Sequence, residues 1–170
     1  MAPDTITDVR PAPAKPRFLG LLNEIAEAEK RGHRYLTVWA DRCTDPDLEP
    51  VLRTVAAREA EHSASFARRV VELGFRVRPR EDTEEERTRM EIVRSGLDDR
   101  ATFEGLGYGP SRSDEEPDTF DRYFSDHTID PATGALLGRF IAEERDSARL
   151  LSAAYHSLLE RDTTGGSEPG

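Results

Sequence analysis

The chain has 170 residues, 36% apolar and 34% charged, with a formal net charge of -10 and a pI near 4.9. That length suits one domain with a proper core, and the acidity argues against nucleic acid or anionic membrane as partners, which draw on clustered Lys and Arg. A single cysteine, Cys43, rules out an intrachain disulfide or a Cys-based zinc site. No run is long and apolar enough to span a bilayer, and the opening "MAPDTITDVRPAPAKPRF" lacks the apolar core of a signal peptide, so the chain is expected to be cytoplasmic.

In chain order, residues 1–16 are rich in Pro, Ala and charge without periodicity, and read as a flexible arm. A first helix is predicted from Phe18 to Arg42, with the seam Leu22, Ile25, Glu29, Gly32, Leu36, Trp39 and Cys43. "TDPDLEP" forms a turn, and a second helix is predicted from Asp47 to Leu73 with Leu52, Val55, Glu59, His62, Phe66, Arg69 or Val70, and Leu73 inward, closed by Gly74. A third should start near Asp82, capped by Asp82 or Thr83, and carry Met90, Val93, Leu97, Ala101 and Glu104 on one face. Residues 107–130 read as a long loop with a short helix around Thr119–Asp126. The last helix is expected from Pro131 to about Glu160, with the seam Phe140, Glu144, Ser147, Leu151, Ala154 and Leu158, before a loose tail at 162–170. The expected fold is all-α, a four-helix bundle over residues 17–161 with a long loop insertion before the last helix.

Three of the four seams carry an acid near the middle: Glu29, Glu59 and Glu144. Glu29 and Glu59 lie at similar distances from the first turn, so an antiparallel hairpin sets them level. Three buried carboxylates need a cation, protons or arginine partners. His62, one turn after Glu59, adds an imidazole to the same face, a donor set that suits iron, manganese or zinc.

"EIAEAEKRGHRYLTVWA", "REAEHSASFARRVVELG" and "GRFIAEERDSARLL" together resemble the ferritin-like superfamily, nearer its rubrerythrin-type domains, over about two-thirds of the chain. The resemblance implies metal ligands at Glu29, Glu59, His62 and Glu144, holding iron or alternatively manganese, mono- or dinuclear, with oxygen or peroxide chemistry. Two positions depart from the family pattern. Ser147 stands where a second Glu-x-x-His would put its histidine, and the third helix has Met90, Val93 and Leu97 where a carboxylate would sit; Glu86 and Glu104 lie off its middle. His33, Asp146 and His127 are the residues that could complete the set. The competing reading is a non-catalytic bundle that has lost its metal and acts as an interaction module, its acids met by protons or by Arg58, Arg69 or Arg145. Either form is expected to be a homodimer. Only eight residues separate the second and third helices, against the long crossover of ferritin-like bundles, so an up-down-up-down order is the alternative.

Overall fold

The structure, a computed structural model, describes residues 14–108, 123 and 126–165. All regular structure among them is helical: α1 (Leu19–Arg42), α2 (Leu48–Glu72), α3 (Glu84–Arg94), α4 (Asp99–Leu106) and α5 (Pro131–Gly165). None of these helices is long and apolar enough to cross a membrane.

α1 and α2 form an antiparallel hairpin. Asp45 in its turn accepts hydrogen bonds from the Asp47 and Leu48 amides at 3.0 and 2.9 Å, giving an acceptor to N–H groups that open α2. At the far end Gly74 adopts φ 86°, the left-handed conformation that side chains disfavour. The Phe75 amide then reaches back to the Val70 carbonyl and closes the helix.

The chain does not enter the third helix at once. Residues 75–83 run extended along α1, held by polar residues four apart on that helix. The Asn23 side chain exchanges hydrogen bonds with the Arg78 main chain at 3.0 and 2.6 Å, imitating a strand partner. Glu27 accepts from the Arg80 amide at 3.1 Å, and Arg31 donates to Asp82 at 2.7 Å and to the Arg80 carbonyl. α3 continues in that direction, since Trp39 and Arg42, late in α1, meet Asp99, Leu97 and Thr102. It is therefore parallel to α1 and antiparallel to α2, short linker and all.

The third predicted helix is two. Gly96, at φ 78°, breaks it, and the Asp98 carboxylate caps α4 through the Ala101 amide at 2.7 Å. Leu97, expected on the buried face, is instead 42% exposed in the break. α3 does open with the expected cap, a reciprocal pairing of Thr83 with Glu86.

α5 starts beside the end of α2, where Arg69 binds Asp130 at 2.8 Å, and finishes near the first turn, where Arg161 binds Asp45 at 2.5 Å. It is antiparallel to α2. α1, α3 and α5 thus share a direction opposed to α2, which is neither of the two helix orders expected. The return between α4 and α5 joins Tyr108, beside Tyr35, to Tyr123, which packs with Phe18 and Leu19. Apart from Tyr123 and Asp126, the short helix expected at Thr119–Asp126 lies outside the described residues, as does the arm up to residue 13. α5 runs past its expected end near Glu160 into the segment read as tail.

Two apolar clusters fill the interior. One, near the first turn, contains Leu36, Trp39, Leu48, Leu52, Phe103, Leu151 and Tyr155. The other, at the opposite end, contains Leu22, Ile25, Phe66, Val70, Phe140 and Ile141. Fully burying each large side chain of this kind contributes about 1.5–3 kcal/mol. On α1, α2 and α5 alike, the buried residues between the clusters are polar or glycine: Glu27, Glu29, Arg31 and Gly32, then His62 and Ser65, then Ser147. The candidate site occupies that layer.

Candidate metal centre

Glu29 enters the layer from α1, Glu59 and His62 from α2, and Glu144 from α5. His62 is only 1% exposed and lies edge-on to Phe140, ring centroids 5.0 Å apart, which fixes its plane. Its Nδ1 stands 3.1 Å from Glu29 Oε2 and 3.4 Å from Glu144 Oε1. Its Nε2 meets Glu143 Oε2 at 2.7 Å. Glu29, His62 and Glu144 can each offer an atom to one ion, their donors lying within 4.8 Å of one another.

Glu59, also expected as a ligand, lies beside this group without being part of it, and it does so because of a glycine. A Cβ on Gly32 would fall 2.1 Å from Glu59 Oε2 and 2.9 Å from its Cδ. The bare α1 backbone therefore forms the cradle in which this carboxyl rests, hydrogen-bonded to Glu29. The expected level match between Glu29 and Glu59 holds.

Without an ion, the layer balances charge through protons. Burial drives the Glu59 carboxyl well above its usual range, and the negative charges of Glu29 and Glu144 push it further. Burial raises Glu29 too, opposed by its hydrogen bond to His62. Burial would push His62 down, but the carboxylates of Glu144, Glu29 and Glu143 outweigh it and lift the imidazole to about 10. An imidazolium, two carboxylates and a neutral Glu59 carboxyl make a self-consistent proton-bound state. One atom is left over: Glu144 Oε1 is buried with no hydrogen-bond partner, since its 3.4 Å approach to Nδ1 is not aligned as a hydrogen bond. Two carboxylates, one of them with an orphaned buried oxygen, and one imidazole nitrogen, with the Glu59 carboxyl beside them, form a donor set that fits a borderline divalent ion such as iron or manganese.

Ser147, in the place of a second histidine, accepts a hydrogen bond from Arg58 at 3.1 Å, and the same guanidinium binds Asp146 at 2.8 Å. A fixed organic cation thus sits one turn along α5 from Glu144. Arg69 is engaged by Asp130, Thr133 and Glu72. Neither Arg58 nor Arg69 neutralises the seam acids. His33 binds the Ala56 carbonyl at 2.9 Å. Among the described residues, the groups able to share an ion include none of His33, Asp146 and His127. Glu86 caps α3 and binds Arg80, while Glu104 accepts from Tyr155 and Arg100. Neither Glu86 nor Glu104 joins the layer.

Sequence periodicity passed over two features. Glu143 is half-exposed and off the seam, yet it holds the outer nitrogen of His62. Its partner Arg139 also binds Glu61, so a guanidinium already fills the outer acidic pair. The doublet Glu143-Glu144 was its signal, because adjacent helix positions can flank a ring inserted between them. The second feature is a cavity of about 350 Å³ whose lining includes Glu29, Glu59, Glu144, Tyr35, Arg89 and Tyr108. The Tyr35 and Tyr108 hydroxyls are hydrogen-bonded to each other, and burial raises both phenols above their usual range. Tyr108 arrives from beyond α4, so no period in the sequence could place it there. No family model matches the chain, and no curated protein or solved structure matches it.

Proposed function

We propose that this protein is a metal-binding helical bundle with a ferritin-like ligand set on a different helix order, holding an ion, iron first and manganese second, among Glu29, Glu59, His62 and Glu144. The observation that carries the reading is convergence: the carboxylates of Glu29 on α1 and Glu144 on α5 bring oxygens within reach of one ion beside His62 of α2, between two apolar clusters, and Glu144 Oε1 is buried without a hydrogen-bond partner. His62 would ligate through Nδ1, and Glu143 on Nε2 would fix its tautomer and orientation. Glu59, cradled by Gly32, would give up its proton to bind. Iron held there would supply oxygen or peroxide chemistry.

A second reading, a metal-free interaction module, is favoured by the salt bridges of His62 and the Glu59–Glu29 hydrogen bond, which balance the layer with protons alone. Elemental analysis of protein purified from iron-supplemented cells separates the two. The metal reading expects bound metal in wild type and its loss in His62→Ala and Glu59→Ala. A wild type carrying under about a tenth of an equivalent, where coupled metal binding should approach one, refutes it. In that case Glu59→Leu should raise the melting temperature by removing a buried acid.

A further inference from the structure

The cavity beside the carboxylates has leftover hydrogen-bonding capacity of two opposite kinds. One lining residue is Glu144, whose Oε1 has no hydrogen-bond partner. The same lining carries donors. Arg89 lies 6.0 Å over the Tyr35 ring and donates through Nη2 to Glu85 at 2.8 Å. Its other guanidinium N–H groups have no acceptor among the described residues. Tyr35 and Tyr108 together carry two hydroxyl protons, of which the bond between them uses one. The other is free to donate into the cavity. An acceptor without a donor suits a cation, and donors with capacity to spare suit an anion. The space, about 350 Å³, would hold about a dozen waters at liquid density.

The geometry points to a small-oxyanion site on top of the metal centre: a carboxylate or phosphate group that ligates the ion with one oxygen and accepts hydrogen bonds from Arg89 and the Tyr35–Tyr108 pair with another. This rests on the metal reading above. A guanidinium fork suits such a group, presenting paired N–H donors to paired oxygens. Gly32 also lines the cavity, so α1 adds no side chain that would fill it at that point. The rim arginines Arg31 and Arg80 are already engaged, by Asp82 and Glu86, and contribute shape rather than free charge.

The test uses the full chain loaded with cobalt(II), whose visible absorption reports its ligands. Acetate and inorganic phosphate are titrated in separate arms. The expected result is saturable spectral change with at least one of them, weakened about tenfold in Arg89→Gln, as for loss of one charge-assisted hydrogen bond. Tyr108→Phe should weaken it severalfold, with cobalt stoichiometry unchanged in both variants. Which arm responds identifies the anion. Cobalt-loaded wild type that changes with neither anion overturns the inference and leaves the metal reading standing. Equal affinity in wild type and both variants also overturns it, since the anion would then be binding without these donors. A wild type that takes up no cobalt sinks the metal reading and this inference together.

Discussion

Gly32→Ala is the sharpest probe of the layer, because two effects of known size compete at one atom. An interior glycine replaced by alanine gains about 1 kcal/mol of helix propensity. At Gly32 the new methyl would lie 2.1 Å from Glu59 Oε2, against a floor of 3.0 Å for real Cβ contacts, so the carboxyl must retreat by at least 0.9 Å. Glu59 is the end of a flexible side chain and can move, at the cost of its hydrogen bond to Glu29, about 0.5–1.5 kcal/mol. The two terms nearly cancel, so the metal-free variant should melt within about 4 °C of wild type. Metal binding has no such compensation, because ligand distances tolerate only about 0.2 Å. Calorimetric titration with manganese(II) should therefore show affinity reduced tenfold or more in a protein of near-normal stability. Unchanged affinity would mean that Glu59 is not a ligand, and the cradle would be only a packing detail.

The pH dependence of the metal-free protein follows from the raised groups. His62 binds its proton more tightly folded than unfolded, so its stabilising contribution is complete below about 6.5 and fades as pH rises towards about 10. Glu29 and Glu59, also raised, act in the same direction from lower pH. Melting temperature should fall across that interval, and the fall should be smaller in His62→Ala; a flat wild-type profile would refute the assignment. Glu143→Gln keeps the shape but loses the charge that holds Nε2, and should lower metal affinity about 10- to 100-fold, measured by competition with a chromogenic chelator. Asp130 caps α5 through the Ala132 and Thr133 amides, with help from Arg69. Asp130→Ala should cost about 1–2 kcal/mol by urea denaturation at neutral pH. Because the capping bonds and Arg69 depress this carboxyl to about 2, the difference should shrink as pH falls from 3.8 through that value.

The sequence alone was enough to place the hairpin and its polar layer. The seams of α1 and α2 step by three and four, Gly74 and the Asp45-Pro46 turn bound them, and antiparallel pairing makes Glu29 and Glu59 level whatever else the chain does. Such features are local and periodic. The path of residues 75–83 was not legible, because Asn23, Glu27 and Arg31 look like an ordinary solvated stripe until an extended segment lies against them. The broken third helix turned on Gly96, a residue that helices tolerate and whose positive φ is set by where α4 must pack. Glu143 and Tyr108 became part of the site only when α5 and the chain beyond α4 were brought to α2 and α1. Periodicity determines which face of a helix is buried. Which other elements meet that face depends on contacts between residues far apart in the chain, and these carry no period.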